Sequence, residues 1–597
     1  MSERETSGSA TEGGALPRLL TPGRIGGVEM CNRVVMPSMT TRGADADGHV
    51  TENTMAYFCE RAEGGVGLIT VEMASPEKAG RHRHFELGIY DDRFLPGLSR
   101  LVAALHERGA KVAIQLGHGG GHTRRDVNGG EPPVAPSAIP HVVQEGTTET
   151  IIPEAMSLER IERAVDAFAD AAERARRAGF DMVEIHAAHG YLISQFLCPV
   201  ENLRRDAYGG SLENRARFGL EIIRRIKRKA PGFPVIFRLN GDDFVPGGMT
   251  PEEARQVAVW AADAGADAIH VAGGHYRSKP NAAVMIPPMA MPDAAFLHFA
   301  IAIKPLVSVP VIAVGRLGDP AAAIGAVEQG LVDFVALGRP LLADPDWIDK
   351  VTRGRAVRMC IACNTCVDGM REGHRLQCLV NPVTGRELLF GNRAERAGRL
   401  PAGLKIAVAG AGPAGLSYAS LVADRNTVTV FEKDASVGGS FRLAGLAPKF
   451  QAVTADPMPL ERFVERLEKR CRESGVTFVF NSDVFADLNR LSGFDLVVLA
   501  TGASYRTGLG MIPALLRVGF AKLPGIRDLA VSDGWRDWFY YRARVSHAET
   551  MRRRFGDRKV IVIGDALAPG KSVAAIRSAF EAAYGVTIKD ERLSLGA

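Results

Sequence analysis

From about residue 34 onward, short apolar runs rich in Val, Ile and Leu alternate with longer amphipathic stretches. The short runs fall at 34–36, 66–73, 111–116, 182–186, 235–239, 268–272, 311–314 and 334–337. Continuous apolarity over so few residues marks strands buried on both faces. Between them, apolar residues recur at helical spacing over 158–178, 212–229 and 251–264. Eight such units within residues 18–350 predict an α/β fold, a TIM (β/α)8 barrel with insertions. In that fold chemistry collects at the C-terminal ends of the strands.

The pattern restarts after a charged linker. An apolar run at 405–409 leads into Gly410-Ala411-Gly412-Pro413-Ala414-Gly415 and then an amphipathic helix, and a second run at 427–431 ends in Glu432. A GxGxxG alone is weak. Between a strand and a helix, with an acidic residue after the next strand, it is the dinucleotide-binding fingerprint. Its glycines admit a pyrophosphate to the helix N-terminus, and Glu432 is placed for ribose hydroxyls. Later runs at 494–499 and 559–563 end in Ala500-Thr501-Gly502 and Gly564-Asp565, with a helix expected over 572–583. The expected division is a tail over 1–17, the barrel over 18–350, a cysteine segment and linker over 351–400, and a Rossmann-like FAD/NAD(P)-type domain over 401–503 and 559–597. An aromatic and basic insert, 504–558, interrupts that last domain.

Composition narrows the class. The chain has 597 residues with 46% hydrophobic content, as for ordinary globular proteins, and room for more than one domain. A net charge of +5 over that length is too weak to imply nucleic acid or an anionic membrane surface. No 18-residue apolar run suggests a membrane span. The first residues are Ser/Thr/Gly/Glu-rich, without a secretory signal, and read as a disordered tail. Cys31, Cys59, Cys198 and Cys471 form no disulfide framework, which points to a reducing cytoplasm.

The other four cysteines are Cys360, Cys363, Cys366 and Cys378, spaced C-x2-C-x2-C-x11-C. Four sulfur ligands suit a [4Fe-4S] cluster or a zinc ion. Zinc sites usually pair their cysteines as two C-x2-C knuckles, whereas a triplet with a remote fourth is the iron–sulfur pattern. Such a cluster implies redox chemistry on either side of it.

The barrel's strand ends are unusually polar. Strand 3 ends at Gln115, strand 4 at His186-Ala187-Ala188-His189-Gly190-Tyr191, and strand 5 at Arg238-Leu239-Asn240. His275 follows strand 6. Gly315-Arg316 and Gly338-Arg339 follow strands 7 and 8, where barrels commonly bind a phosphate. Glycine lets backbone N–H groups approach the anion, and arginine grips it in a fork. Two imidazoles and a phenol on one loop can hold an oxyanion and deliver a proton. A metal site is the rival reading, but no carboxylate or third histidine stands beside them at ligand spacing.

These residues carry a family resemblance. The stretches Asn32-Arg33-Val34-Val35-Met36-Pro37-Ser38-Met39, Glu184-Ile185-His186-Ala187-Ala188-His189-Gly190-Tyr191 and Leu337-Gly338-Arg339-Pro340 resemble the old yellow enzyme family of FMN barrels, as does 202–215. The resemblance implies FMN, with Gln115 and Arg238 near its ring, and Pro37, Ser38 and Met39 lining it. Thr40 would tune it, and Arg316, Gly338 and Arg339 would lie near its phosphate. It also implies that His186 and His189 bind a substrate oxygen and that Tyr191 donates a proton. The order of barrel, four cysteines and GxGxxG is similar to that of 2,4-dienoyl-CoA reductase, 2-enoate reductase and trimethylamine dehydrogenase. That subgroup implies FAD, or ADP in its place, with Asp565 toward the ribityl or phosphate side. It implies His275 as a further catalytic candidate, and homo-oligomers.

One departure matters. Reductases of that subgroup carry a complete NAD(P)H domain inside the FAD domain, whereas here only residues 504–558 fill that place, without a glycine-rich loop. Met511-Ile512-Pro513-Ala514-Leu515-Leu516 and 535–542 read as packing of a shortened domain, or as a docking surface for an electron-transfer protein. Either NAD(P)H reduces the barrel's flavin directly or a protein exchanges the electrons. The expected activity is reduction of an activated C=C bond in a small molecule. Amine dehydrogenation, with electrons leaving to a protein, and a non-catalytic electron-transfer subunit are the alternatives.

Overall fold

The computed structural model describes residues 16–142, 150–279, 282–446, 458–505, 534, 538, 542–546, 548–556 and 558–589. The chain divides into two compact units, Met1–Met285 with Asp293–Val357, and Ile286–Pro292 with Arg358–Ala597.

The first unit is a closed barrel of eight parallel strands in sequential order. They are β1 (Val34–Met36), β2 (Leu68–Ala74), β3 (Lys111–Leu116), β4 (Met182–Ala187), β5 (Val235–Asn240), β6 (Ala268–Ala272), β7 (Val311–Ala313) and β8 (Phe334–Ala336). Each of the eight apolar runs became a barrel strand, because every one is buried on both faces. The amphipathic stretches became the helices Leu158–Arg177, Leu212–Lys229 and Pro251–Asp263. Each opens with a side-chain cap, from Ser157, Ser211 and Thr250, which satisfies N–H groups the first turn leaves free.

The two ends of the barrel differ chemically. Toward the strand starts, Leu68, Ala113, Met182, Ile236, Ala268, Ile312 and Phe334 form one apolar cluster with Ile25 and Met30. Those last two lie on an antiparallel hairpin, Gly23–Ile25 with Val28–Met30. Toward the strand ends, cross-strand register puts Glu184 beside Gln115, His186 beside Arg238, and Arg238 beside His270. Residues two apart on a strand share a face, so these five polar groups share one face of the sheet.

In the second unit five parallel strands run in the order β11-β10-β9-β12-β13. They are β9 (Lys405–Ala409), β10 (Thr427–Phe431), β11 (Thr477–Val479), β12 (Leu496–Leu499) and β13 (Val560–Val562). The helix Pro413–Val422 follows β9, and the expected closing helix spans Ser572–Tyr584. Ser504–Tyr505 pairs antiparallel with Arg544–Val545, which brings the two flanks of the insert together. Residues 511–516 lie outside the described residues, and of 535–542 only Trp538 and Arg542 lie within them. No described helix is long and apolar enough to cross a membrane.

Candidate active site

Glu184 is the hub of the polar barrel end. It is fully buried, accepts a hydrogen bond from Gln115 Nε2 at 2.7 Å, lies 2.6 Å from His270 Nδ1, and faces Arg238 at 3.8 Å. Burial alone would raise its pKa. The hydrogen bonds from His270 and Gln115 and the charge of Arg238 outweigh that and hold it low. Arg238 is buried too, and its Nε has no hydrogen-bond partner. A buried guanidinium N–H left unspent is costly. It fits an acceptor-rich ring such as a flavin, with the Gln115 amide held alongside.

The other residues expected around a flavin are brought together only in part. A Cβ on Gly338 would meet Met39 Sδ at 3.1 Å and Pro37 Cγ at 3.3 Å, so the β1 and β8 ends pack closely. Arg339 opens the short helix Arg339–Ala343. Arg316 has a left-handed φ of 56° and pairs with Asp293 at 2.6 Å. Thr40 Oγ1 accepts from Arg83 at 2.9 Å, and Ser38 is half-buried.

The end of β4 and the loop after it gather His186, His189 and Tyr191. The His186 ring centroid lies 5.1 Å from that of His189 and 4.8 Å from that of Tyr191. The loop is fixed by its backbone. His189 has a φ of 64°, and its N–H donates to Asn240 Oδ1 at 3.2 Å. Gly190 follows at φ 84°, with its N–H on Ser194 Oγ at 3.0 Å. Burial pushes both imidazoles well below the ordinary histidine range, and the charge of Arg238 pushes the same way. Both rings are therefore neutral donor–acceptors, and His186 Nδ1 has no partner. Burial drives the Tyr191 phenol well up, opposed by the Arg83 guanidinium.

Behind Tyr191 stand residues that sequence reasoning missed. Tyr191 OH lies 3.2 Å from His82 Nε2 and 3.0 Å from Tyr276 OH, and Arg83 Nη2 donates to it at 3.4 Å. The same guanidine nitrogen donates to Tyr276 OH at 2.7 Å. The signal available was the basic run Arg81-His82-Arg83-His84 after β2, and Tyr276 beside His275. Glu184 and His270 were legible as the same-face neighbours of His186 and Arg238. A sixth buried group, Glu72, sits at a register shift in β2 and accepts from Thr41 N and Oγ1 at 2.8 and 2.9 Å. Burial lifts it to about 7, against the hydrogen bonds from Thr41.

His275 is fully buried behind the loop, where a Cβ on Gly190 would meet its ring at 2.6 Å. Its Nε2 faces Glu201 at 3.1 Å, and Cys198, Glu201 and His275 converge with ligand atoms within 4.8 Å. That trio is not built for a metal. His275 Nδ1 accepts the Arg277 backbone N–H at 3.0 Å, which puts the proton on Nε2. A metal-binding imidazole does the reverse, donating from its second nitrogen. The arrangement is a buried polar network: Nε2 of His275 meets one oxygen of Glu201, and the Arg277 guanidinium pairs with the other. Burial would lower the His275 pKa, and Glu201 reverses this and raises it.

In the second unit, loss of solvation and then the charges of Cys360, Cys363 and Cys366 push the Cys378 thiol well up, so the four stand close together. Ala362 and Asn364 take left-handed φ values of 50° and 56°, which turns the chain between successive cysteines. Residues 286–292 hold this loop: Met289 N donates to Ala362 O at 3.0 Å, and Asn364 Nδ2 to Ile286 O at 2.8 Å. Among the described residues, the cysteines form no group with ligand atoms all within 4.8 Å. A zinc ion with Zn–S bonds of about 2.3 Å would hold tetrahedral sulfurs roughly 3.8 Å apart.

The glycine loop is shaped for a dinucleotide. Gly410 has a φ of +105°, and a Cβ on Gly415 would lie 2.0 Å from Gly410 O. Gly412 and Gly502 face open space, while a Cβ on Gly564 would meet Ala414 Cβ at 2.8 Å. Glu432 accepts from Ala411 N at 2.7 Å and Asp434 N at 3.0 Å, which ties the loop to the end of β10. Asp565 pairs with Arg544 and accepts from Gly570 N at 3.1 Å.

Comparison with known proteins accords with this geometry. Residues 18–358 match the NADH:flavin oxidoreductase / NADH oxidase family, and residues 408–450 match an NAD(P)-binding Rossmann-like domain. The chain is 38% identical to an NADH oxidase of Thermoanaerobacter brockii, over 82% of this chain and 73% of that one. It is 34% identical to an N,N-dimethylglycine/sarcosine dehydrogenase of Chromohalobacter salexigens, over 82% and 70%. It is also 34% identical to a cinnamate reductase of Clostridium sporogenes, over 82% and 74%. The buried Arg238–Glu184–Gln115 constellation and these matches together make the chain a member of the NADH:flavin oxidoreductase / NADH oxidase family, an FMN-dependent oxidoreductase.

Proposed function

We propose that this enzyme reduces an activated C=C bond conjugated to a carbonyl or carboxyl group. The observation that carries the reading is a pair of imidazoles, buried His186 and half-buried His189, with ring centroids 5.1 Å apart and the Tyr191 ring 4.8 Å from that of His186. When bound, FMN supplies hydride, and Arg238, Gln115, Pro37, Ser38, Met39, Thr40, Arg316, Gly338 and Arg339 are the residues to hold it. His186 and His189 donate N–H hydrogen bonds to the substrate oxygen and stabilise the negative charge that grows there. Tyr191 gives its proton to the adjacent carbon. His275, locked on Glu201, positions the 189–191 loop through Gly190. Cys360, Cys363, Cys366 and Cys378 hold a [4Fe-4S] cluster for single-electron chemistry. Gly410, Gly412, Ala414, Gly415, Glu432, Gly502, Gly564 and Asp565 hold FAD, or ADP in its place, and NAD(P)H is the expected reductant.

Relatives at equal identity act on cinnamate and on dimethylglycine or sarcosine, so kinship leaves the substrate open. The site favours the former. A methylated ammonium group calls for an aromatic cage or a carboxylate, whereas these histidines offer donors to an oxygen. Anaerobic stopped-flow absorbance tests the reading. NADH is expected to bleach the flavin, and 2-cyclohexen-1-one or cinnamate to restore its colour. Bleaching of the oxidised enzyme by sarcosine, with no reoxidation by either alkene, would reverse the assignment.

A further inference from the structure

His82 stands between Glu86 and Tyr191, close to both. Oε2 of Glu86 lies 2.9 Å from Nδ1 of His82, and the opposite ring nitrogen, Nε2, lies 3.2 Å from the Tyr191 hydroxyl. Both His82 and Glu86 are buried. The carboxylate cannot swing away, because the same Oε2 accepts the backbone N–H groups of His82 and Arg83, each at 3.2 Å. A phenol that gives its proton to carbon inside a buried pocket must be reloaded before the next turnover. The other groups around it are poorly suited to that. Arg83 stays protonated, and Tyr276 is another phenol, already accepting from Arg83. His186 faces the substrate side, and Glu72 is spent on Thr41.

We propose that Glu86 and His82 form the proton relay that reloads Tyr191, an inference that rests on the C=C-reduction reading above. With His82 doubly protonated against the Glu86 carboxylate, Nε2–H donates to the Tyr191 oxygen and leaves the phenolic proton free for substrate. As the O–H bond of Tyr191 breaks and the new C–H bond forms, the proton on Nε2 moves to the Tyr191 oxygen. His82 is left neutral and recovers a proton from water. No electrons move in this step, and Glu86 keeps its contact with Nδ1 throughout.

The test uses full-length holoenzyme reduced anaerobically with dithionite and mixed with 1-nitrocyclohexene. Hydride transfer to this probe gives a nitronate, a stable carbanion with its own ultraviolet absorbance, so hydride arrival and carbon protonation are seen separately. Tyr191→Phe is the reference for lost protonation. In His82→Gln, nitronate should form at the wild-type rate and decay to nitroalkane at least ~10-fold more slowly, toward the lower end of a general-acid contribution. The ionisation in the wild-type pH profile of that decay should vanish. In Glu86→Gln the same ionisation should move to lower pH, because the imidazolium has lost its counter-charge. A purely structural role would not move that profile. Wild-type decay with a wild-type profile in His82→Gln overturns the relay. Should His82→Gln not fold, an unshifted ionisation in Glu86→Gln overturns it equally. Equal decay in wild type and Tyr191→Phe would instead remove the proton-donor reading, and the relay with it.

Discussion

The side-chain amide of Gln115 donates to Oε1 of Glu184 across 2.7 Å, and this one buried contact joins β3 to β4 at the polar end of the barrel. Glu184 also faces Arg238 and His270, so its carboxylate balances the guanidinium beside the expected flavin ring. Removing one partner of a buried charged pair typically costs about 3–5 kcal/mol. Glu184→Ala should lower the chemical-denaturation midpoint accordingly and release FMN on gel filtration. Both are read from flavin absorbance and circular dichroism.

His186 and His189 are held below the ordinary histidine range by burial. A depressed folded pKa means that the folded state takes up its proton later than the unfolded chain. The associated stability is present above the unfolded value of about 6.5 and is lost as pH falls through the folded values. A variant carrying His186→Asn and His189→Asn should therefore lose less stability between neutral and mildly acidic pH than the wild type. Urea unfolding across that range measures it, and equal pH slopes would contradict the burial argument.

Arg83 reaches Thr40, Tyr191 and Tyr276 at once. Its charge opposes the rise of the Tyr191 pKa, so Arg83→Gln should make the phenol a weaker acid. Alkene reduction should fall roughly 10-fold, or about 1.4 kcal/mol, with flavin reduction by NADH unchanged. Arg83→Lys should recover part of the loss, because it restores charge without the fork.

Cys363→Ala removes one of the four converging sulfurs. Iron should drop from about four per chain, while FMN in the other unit stays bound. Iron, zinc and flavin are assayed on the same sample. Zinc in place of iron in the wild type would reject the cluster.

Gly415→Ala places a Cβ 2.0 Å from Gly410 O. Overpacking of that kind costs about 1–3 kcal/mol and here distorts the loop under the open space at Gly412. The variant should release the second nucleotide, measured by chromatography of the acid-denatured protein, and keep FMN.

Much of the architecture is local and was legible in the chain. Eight short runs buried on both faces can only be strands of a covered parallel sheet, and GxGxxG between strand and helix defines a nucleotide loop through steric need at Gly410 and Gly415. The cysteine spacing and the polar strand ends of β3, β4 and β5 are likewise sequence facts. What surrounds Tyr191 is not. His82 and Arg83 leave β2, Tyr276 leaves β6, and Tyr191 leaves β4, with 109 positions between His82 and Tyr191. No periodicity links residues so far apart. Only closure of the barrel brings those three loops to one end and aims an imidazole, a guanidinium and a second phenol at a single hydroxyl. The same closure buries His275 against Glu201, a distant pairing that its place after β6 could not foretell. Strand identity follows from side-chain pattern, but partner identity follows from which loops the closed sheet forces together.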